Sequence, residues 1–129
     1  MRLHVACGMS SAPHLALGQR GEDLAVCALE REGYAILARR YRVPVGEIDV
    51  IAMDGRCLVF VEVKTRRGGQ CGDGADAVTW RKRRKIVSVA NDYLARHRVR
   101  AVACRFDVVT VRLDENEPRV DIIRNAFDA

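Results

Sequence analysis

Three acidic residues and a lysine, Glu47, Asp49, Glu62 and Lys64, lie in two short stretches on either side of Asp54-Gly55. Both stretches alternate and are rich in β-branched residues, and Asp-Gly between such runs is a strong signal for a tight hairpin. Side chains two apart in a strand share a face, so all four groups are predicted to project from one side of the sheet. With Asp54-Gly55 as the loop, Met53 faces Arg56, and the ladder sets Ile51 against Leu58, Asp49 against Phe60 and Glu47 against Glu62. Asp49 is then the diagonal neighbour of Glu62, roughly 7–8 Å between α-carbons. From that spacing two carboxylates can converge on one divalent cation. Hard oxygen donors suit Mg²⁺ or Mn²⁺, and such a cation with a lysine beside it suits the hydrolysis of a phosphodiester.

The opposite face of the hairpin, Ile48, Val50, Ala52, Cys57, Val59, Val61 and Val63, is apolar and belongs in a core. The rival account is a half-exposed hairpin whose charges simply face water. Against it, Ile51, Leu58 and Phe60 share the charged face and cover part of it. Glu47 opposite Glu62 also repels unless a cation or a proton intervenes, although a lysine supplies part of that relief. A bulge between the strands would break this register.

The elements that must position these groups are legible in outline. A chain of 129 residues is one domain with room for a single core. Residues 1–17 read as a flexible leader, too short in its apolar part for a secretory core or a membrane span. Residues 18–129 read as the domain. A helix is expected from Gly18 to Glu32, with Leu24, Ala25, Ala28 and Leu29 as its buried stripe. Glu22 sits in line with that stripe at its start, where the helix dipole favours an acid and where a role at the site is equally open. Tyr34 to Arg42 reads as a strand, and Thr65 to Asp76 as a loop beside the site. A second amphipathic helix runs from about Val78 to Arg98, followed by strands at Val102 to Leu113 and Arg119 to Arg124. His97 continues the apolar stripe of that helix and is expected to border a core. The order αβββαβ with a trailing strand implies an α/β fold, a mixed sheet flanked by helices.

Lysine and arginine exceed aspartate and glutamate by 22 to 17, a formal charge of +5 and a pI near 9.2. That balance suits a polyanionic partner. Arg81, Lys82, Arg83, Arg84 and Lys85 open the second long helix, where the dipole disfavours cations, and helix N-terminal amides bind phosphate well. With Lys64, Arg66 and Arg67 they could track a nucleic-acid backbone around the carboxylates. A solvated basic face is the plain alternative. Aromatic residues are few, so stacking on single-stranded bases has little support beyond Trp80 and Tyr93 as available contacts, and backbone and shape recognition of a duplex or junction fits better. The five cysteines, Cys7, Cys27, Cys57, Cys71 and Cys104, are scattered and odd in number. They are expected to be reduced thiols in a cytoplasmic protein.

Gly21-Glu22, Gly46-Glu47-Ile48-Asp49, Phe60-Val61-Glu62-Val63-Lys64-Thr65-Arg66, Val78-Thr79 with Lys82, and Arg105-Phe106-Asp107-Val108-Val109 together resemble the YraN-like family of bacterial proteins. That family is regarded as having a restriction-endonuclease-like fold of the PD-(D/E)xK superfamily, close to Holliday junction resolvases. The resemblance covers about Gly18 to Phe127. It implies that Asp49 and Glu62 are metal-binding carboxylates, with the Val63 carbonyl as a further ligand, and that Lys64 is the active-site lysine. Glu22 matches the acid that resolvase-like members carry on the first helix. The chain departs from the family at Arg83, where a glutamine is common, and at Cys71, where an aromatic is. The implied function is a Mg²⁺- or Mn²⁺-dependent endonuclease acting on duplex or branched DNA, with no membrane association. By analogy with resolvases that cut two strands, a homodimer is the expected assembly. The alternative is a non-catalytic nucleic-acid-binding module on a nuclease scaffold, which keeps the basic helix without the turnover.

Overall fold

The computed structural model describes residues 2–4, 17–67, 78–113 and 117–129, with side chains described from Gln19 onward. Its elements are β1 (Arg2–His4), α1 (Leu17–Arg31), β2 (Ala35–Val43), β3 (Gly46–Asp54), β4 (Cys57–Arg67), α2 (Trp80–Arg96), β5 (Ala103–Leu113) and β6 (Arg119–Phe127). They form one six-stranded sheet in the order β1-β6-β5-β4-β3-β2. Among the described strands only β4 and β5 run parallel, and the chain between them carries α2. A parallel neighbour needs such a crossover, whereas the antiparallel pairs need only turns. The expected αβββαβ order with a trailing strand and a mixed sheet is thus the observed one. β1 pairs with β6, so part of the stretch read as a loose leader is an edge strand. Residues 5–16, and residues 68–77 of the expected loop, lie outside the described residues.

The helices cover opposite faces of the sheet. Leu24, Ala25, Ala28 and Leu29 of α1 pack on Val50, Ala52, Val59, Val61, Val109 and Val111. Ile86, Val89, Ala90 and Tyr93 of α2 pack on Ile48, Ile51, Leu58, Phe60, Phe106 and Val108. Both helices stop in the same way. After α1, Gly33 takes φ +91; its N–H donates to Glu30 O and the Tyr34 N–H to Leu29 O, both at 3.0 Å, which is the Schellman closure. After α2, Arg98 at φ 53 plays the part of Gly33.

The hairpin closes one residue later than the sequence suggests. Asp54 pairs with Cys57, so the two-residue loop is Gly55-Arg56, with Gly55 at φ 62, a Gly-X loop in place of Asp-Gly. Ile51 therefore faces Phe60, and Met53 faces Leu58. This moves the pairing by two residues, an even number, so from Val50 onward the side chains keep their faces while their partners change. Glu47 does not oppose Glu62. It lies across from Arg42 of β2 and is ion-paired to it at 2.9 Å. Ile48 also leaves the predicted apolar face and joins the α2 cluster, so the alternation turns over at Asp49. Opposite Asp49, Arg40 carries a left-handed φ of 52, the local distortion that permits the turnover.

At the hairpin end, Asp107 is fully buried. Its carboxylate accepts from Tyr34 OH at 2.7 Å, Arg105 Nε at 2.8 Å, Arg105 Nη2 at 2.9 Å and Asn125 N–H at 3.0 Å. Arg105 also bonds Asp54 at 2.8 Å, tying β5 to the hairpin turn. Burial and the bond to Asp107 push the Tyr34 hydroxyl well above the usual phenol range, so it stays a donor. Cys57 and Cys104 are free thiols. Cys27 is disulfide-bonded, against the expectation of reduced thiols throughout. Among the described residues no helix is long and apolar enough to cross a membrane.

Removing one member of a buried, hydrogen-bonded ion pair strands the other. Asp107→Ala is expected to cost about 3–5 kcal/mol of folding free energy, checked by urea denaturation.

Candidate active site

The site forms where β3 and β4 part. Their ladder ends at Val50↔Val61, yet β4 continues beside β5 as far as Arg67. Beyond Val61 the β3-facing edge of β4 has lost its partner strand, and Asp49 fills the opening: its Oδ2 accepts from the Val63 N–H at 2.8 Å. The N–H and C=O of one strand residue point to the same edge, so the Val63 carbonyl also opens toward Asp49.

Glu62 stands near Asp49, close enough for the two carboxyl groups to act on each other. Burial, then the neighbouring Glu62 charge, push the Asp49 carboxyl up to about 7, against the lowering effect of the Val63 N–H. Glu62 is only 4% exposed. Its Oε2 lies 3.5 Å from Lys64 Nζ and 3.7 Å from Lys82 Nζ. Two ammonium groups from different elements thus face one buried carboxylate.

Glu22, the other buried glutamate, enters from α1. Gly21 makes this possible. A Cβ on Gly21 would lie 1.8 Å from Thr65 Oγ1, so α1 reaches β4 only because residue 21 has no side chain. Glu22 is held by arginines: Oε1 by Arg39 at 3.0 Å and Oε2 by Arg40 at 3.1 Å. Its charge adds to the upward push on Asp49. Among the described residues no three His, Cys, Asp or Glu side chains stand together as metal ligands. The carboxyl donors brought together are therefore Asp49 and Glu62, with Glu22 engaged elsewhere.

A cleft of about 460 Å³ opens over this point, lined by Gln19, Glu22, Arg40, Arg42, Glu47, Asp49, Val63, Lys64 and Thr65. Of the groups that sequence reasoning named, Glu22, Asp49 and Lys64 line the cleft, and Glu62 is buried against Lys64. That reasoning missed Gln19, Arg40 and Arg42, since nothing local in β2 or at the start of α1 marks them. It also placed Lys82 among backbone contacts, whereas the lysine turns inward to Glu62. The signal available was its place beside Val78-Thr79, because Thr79 caps α2 by accepting from the Lys82 N–H at 3.2 Å. Arg83 also makes contacts within the fold. Its Nε donates to Val78 O at 2.9 Å and its guanidinium lies over the Phe127 ring, so it serves packing. Arg67, Arg81, Arg84 and Lys85 are exposed, and Arg66 is half-buried with an unpartnered Nε. Tyr93 is buried against Tyr41, Phe60 and His97 and is no surface contact, and His97 borders this cluster as expected.

The family model for the uncharacterised protein family UPF0102 matches residues 21–111, a span holding every one of these groups except Gln19. The chain belongs to the UPF0102 family. A UPF0102 protein of Geobacter metallireducens is 45% identical over 113 residues, covering 88% of this chain and 93% of the relative. One of Symbiobacterium thermophilum is 47% identical over 114 residues, covering 88% and 97%. One of Rhodococcus opacus is 44% identical over 117 residues, covering 90% and 99%. In this UPF0102 chain, the matched span begins at Gly21, the residue whose missing side chain lets α1 approach the site.

Two outcomes follow. Gly21→Ala is expected to lift α1 from Thr65, lowering stability by about 1–3 kcal/mol for an overpacked contact and displacing Glu22, measurable by urea denaturation and by crystallography. The second concerns pH. A carboxyl whose folded pKa is raised favours the fold fully below its unfolded pKa, near 3.9, and that contribution is lost as pH rises through about 7. Without divalent cations, Asp49→Asn should therefore gain stability relative to wild type as pH goes from 5 to 8. The gain is about 1–3 kcal/mol once solvent screening in this half-open cleft is included. Thermal melts at the two pH values measure it.

Proposed function

We propose that this protein is a metal-dependent nuclease of the restriction-endonuclease-like, PD-(D/E)xK type that hydrolyses DNA phosphodiesters. One observation carries the reading. Asp49 and Glu62 come close where β3 and β4 diverge, near enough that Glu62 raises the Asp49 carboxyl, with Lys64 and Lys82 both against Glu62. Two acids held that closely repel when both ionise, and either a shared proton or a cation relieves it. The donor chemistry fits a hard divalent ion: carboxylate oxygens from Asp49 and Glu62 and the Val63 carbonyl would hold Mg²⁺ or Mn²⁺. When bound, such an ion polarises a phosphoryl oxygen and makes a ligated water more acidic.

The chain's own residues do the rest. Lys64 lines the cleft and also touches Glu62, so its ammonium can contact the scissile phosphate and offset charge that builds there. Lys82 is not among the lining groups and holds Glu62 from the α2 side. That division makes Lys64 the group that meets substrate and Lys82 the group that positions Glu62. Glu22 keeps Arg40 at the cleft, where a basic rim of Arg40, Arg42 and Lys64 can receive the flanking phosphates. The αβββαβ order with a mixed sheet and helices on both faces is the arrangement expected for this fold type.

The test uses linear, flapped and four-way-junction DNA, with and without Mg²⁺ or Mn²⁺. Asp49→Ala and Glu62→Ala should lose metal-dependent cleavage while melting cooperatively. Lys64→Ala and Lys82→Ala should each slow it by about 10²–10³. Cleavage that persists in both carboxylate variants places the chemistry elsewhere. Salt-sensitive binding with no products from wild type identifies a binding module on a nuclease scaffold.

A further inference from the structure

One exposed feature of α2 plays no part in the cleft. Trp80, the chain's single tryptophan, is 71% exposed, the most exposed large apolar side chain among the described residues. One turn along, the Arg84 guanidinium lies over its ring, 4.8 Å from the centroid. Trp80, Arg81, Arg84, Lys85 and Ser88 line a shallow hollow of about 290 Å³. An indole left in water forgoes a large burial gain, and here every ionised neighbour in the hollow is a cation. A bilayer surface would call for a wider apolar patch. A flat aromatic face ringed by positive charge fits an unpaired nucleobase, with its flanking phosphates on Arg81, Arg84 and Lys85.

The helix relates this platform to Glu62, whose other lysine, Lys64, lines the cleft. Lys82, two residues on from Trp80, projects from the other flank of α2 and reaches Glu62. The two flanks are separated by about 10–12 Å, a helix diameter. At 3.4 Å of rise per nucleotide that is about three nucleotides of stacked strand. A strand lying in the cleft could therefore turn round the start of α2 and present a nearby base to Trp80.

We propose that Trp80, backed by Arg84, is a stacking platform for an unpaired base of the DNA strand that enters the cleft, so that the protein selects DNA carrying a single-stranded segment or a branch over uninterrupted duplex. This rests on reading the cleft as a nucleic-acid site. A continuous duplex hides its base faces, and only a flap, gap, junction or free strand offers one.

Because the chain has one tryptophan, its fluorescence reports this residue alone. The protein carrying Asp49→Ala, which should bind without cutting, is titrated with single-stranded, 5′-flap and blunt duplex DNA of equal length. Single-stranded and flap DNA should quench the emission and shield the indole from acrylamide, and blunt duplex should do neither. In anisotropy titrations, Trp80→Ala should weaken flap binding about tenfold or more while leaving duplex binding unchanged, and Trp80→Phe should restore most of the loss. An indole still open to acrylamide in the saturated flap complex overturns the platform, as does full flap affinity in Trp80→Ala. Quenching by flap DNA that wild type never cleaves supports the platform and overturns only the nuclease reading. No binding to any of the three DNAs overturns both.

Discussion

The placing of two carboxyl groups close together within a sheet is the constraint on which the rest of this structure depends. Asp49 and Glu62 meet because β3 leaves β4 after Val50↔Val61, and the Asp49 side chain takes the Val63 N–H that a strand partner would otherwise engage. A regular ladder would cost nothing there. The observed arrangement raises the Asp49 carboxyl to about 7 and keeps Glu62 under two lysines. Local strain and like-charge contact of this kind persist only where the surroundings over-determine them, and they gather at functional sites.

The surroundings do so from three sides. Gly21 brings α1 against Thr65. On β2, Arg39 and Arg40 hold Glu22, while Arg42 draws Glu47 away from Glu62. From the far face α2, capped by Thr79, sends Lys82 to Glu62. At the opposite end of the hairpin the buried Asp107 group locks β5 and β6 to the turn, so the strands can diverge at one end while remaining fixed at the other. α2 carries Lys82 on one flank and Trp80 on the other, which joins the buried centre to the basic exterior.

Much of this was legible in the residues because period-two alternation decides faces without deciding partners. Glu62 and Lys64 share a face for that reason and a register error of two residues left them there, whereas Asp49 comes near Glu62 although the alternation turns over at its own position. The same error invented a contact between Glu47 and Glu62, since the choice between an Asp54-Gly55 and a Gly55-Arg56 loop turns on which residue takes positive φ, and both loops have favourable chemistry. Helix spans were readable from apolar spacing, to within two residues at each end. The inward turn of Lys82 was not, because α2's rotation against the sheet is a tertiary fact. Nor was the arginine rim of β2, where Arg40 adopts a left-handed backbone that its residue type does not announce.

The most direct test of the shared carboxyl pair is calorimetric titration of the protein with Mn²⁺ at pH 6.5, in buffers of different ionisation enthalpy so that proton release is counted. Binding of one ion per chain with release of close to one proton, lost in both Asp49→Asn and Glu62→Gln, is the predicted result. Absence of stoichiometric binding, or binding that both variants retain, contradicts the account.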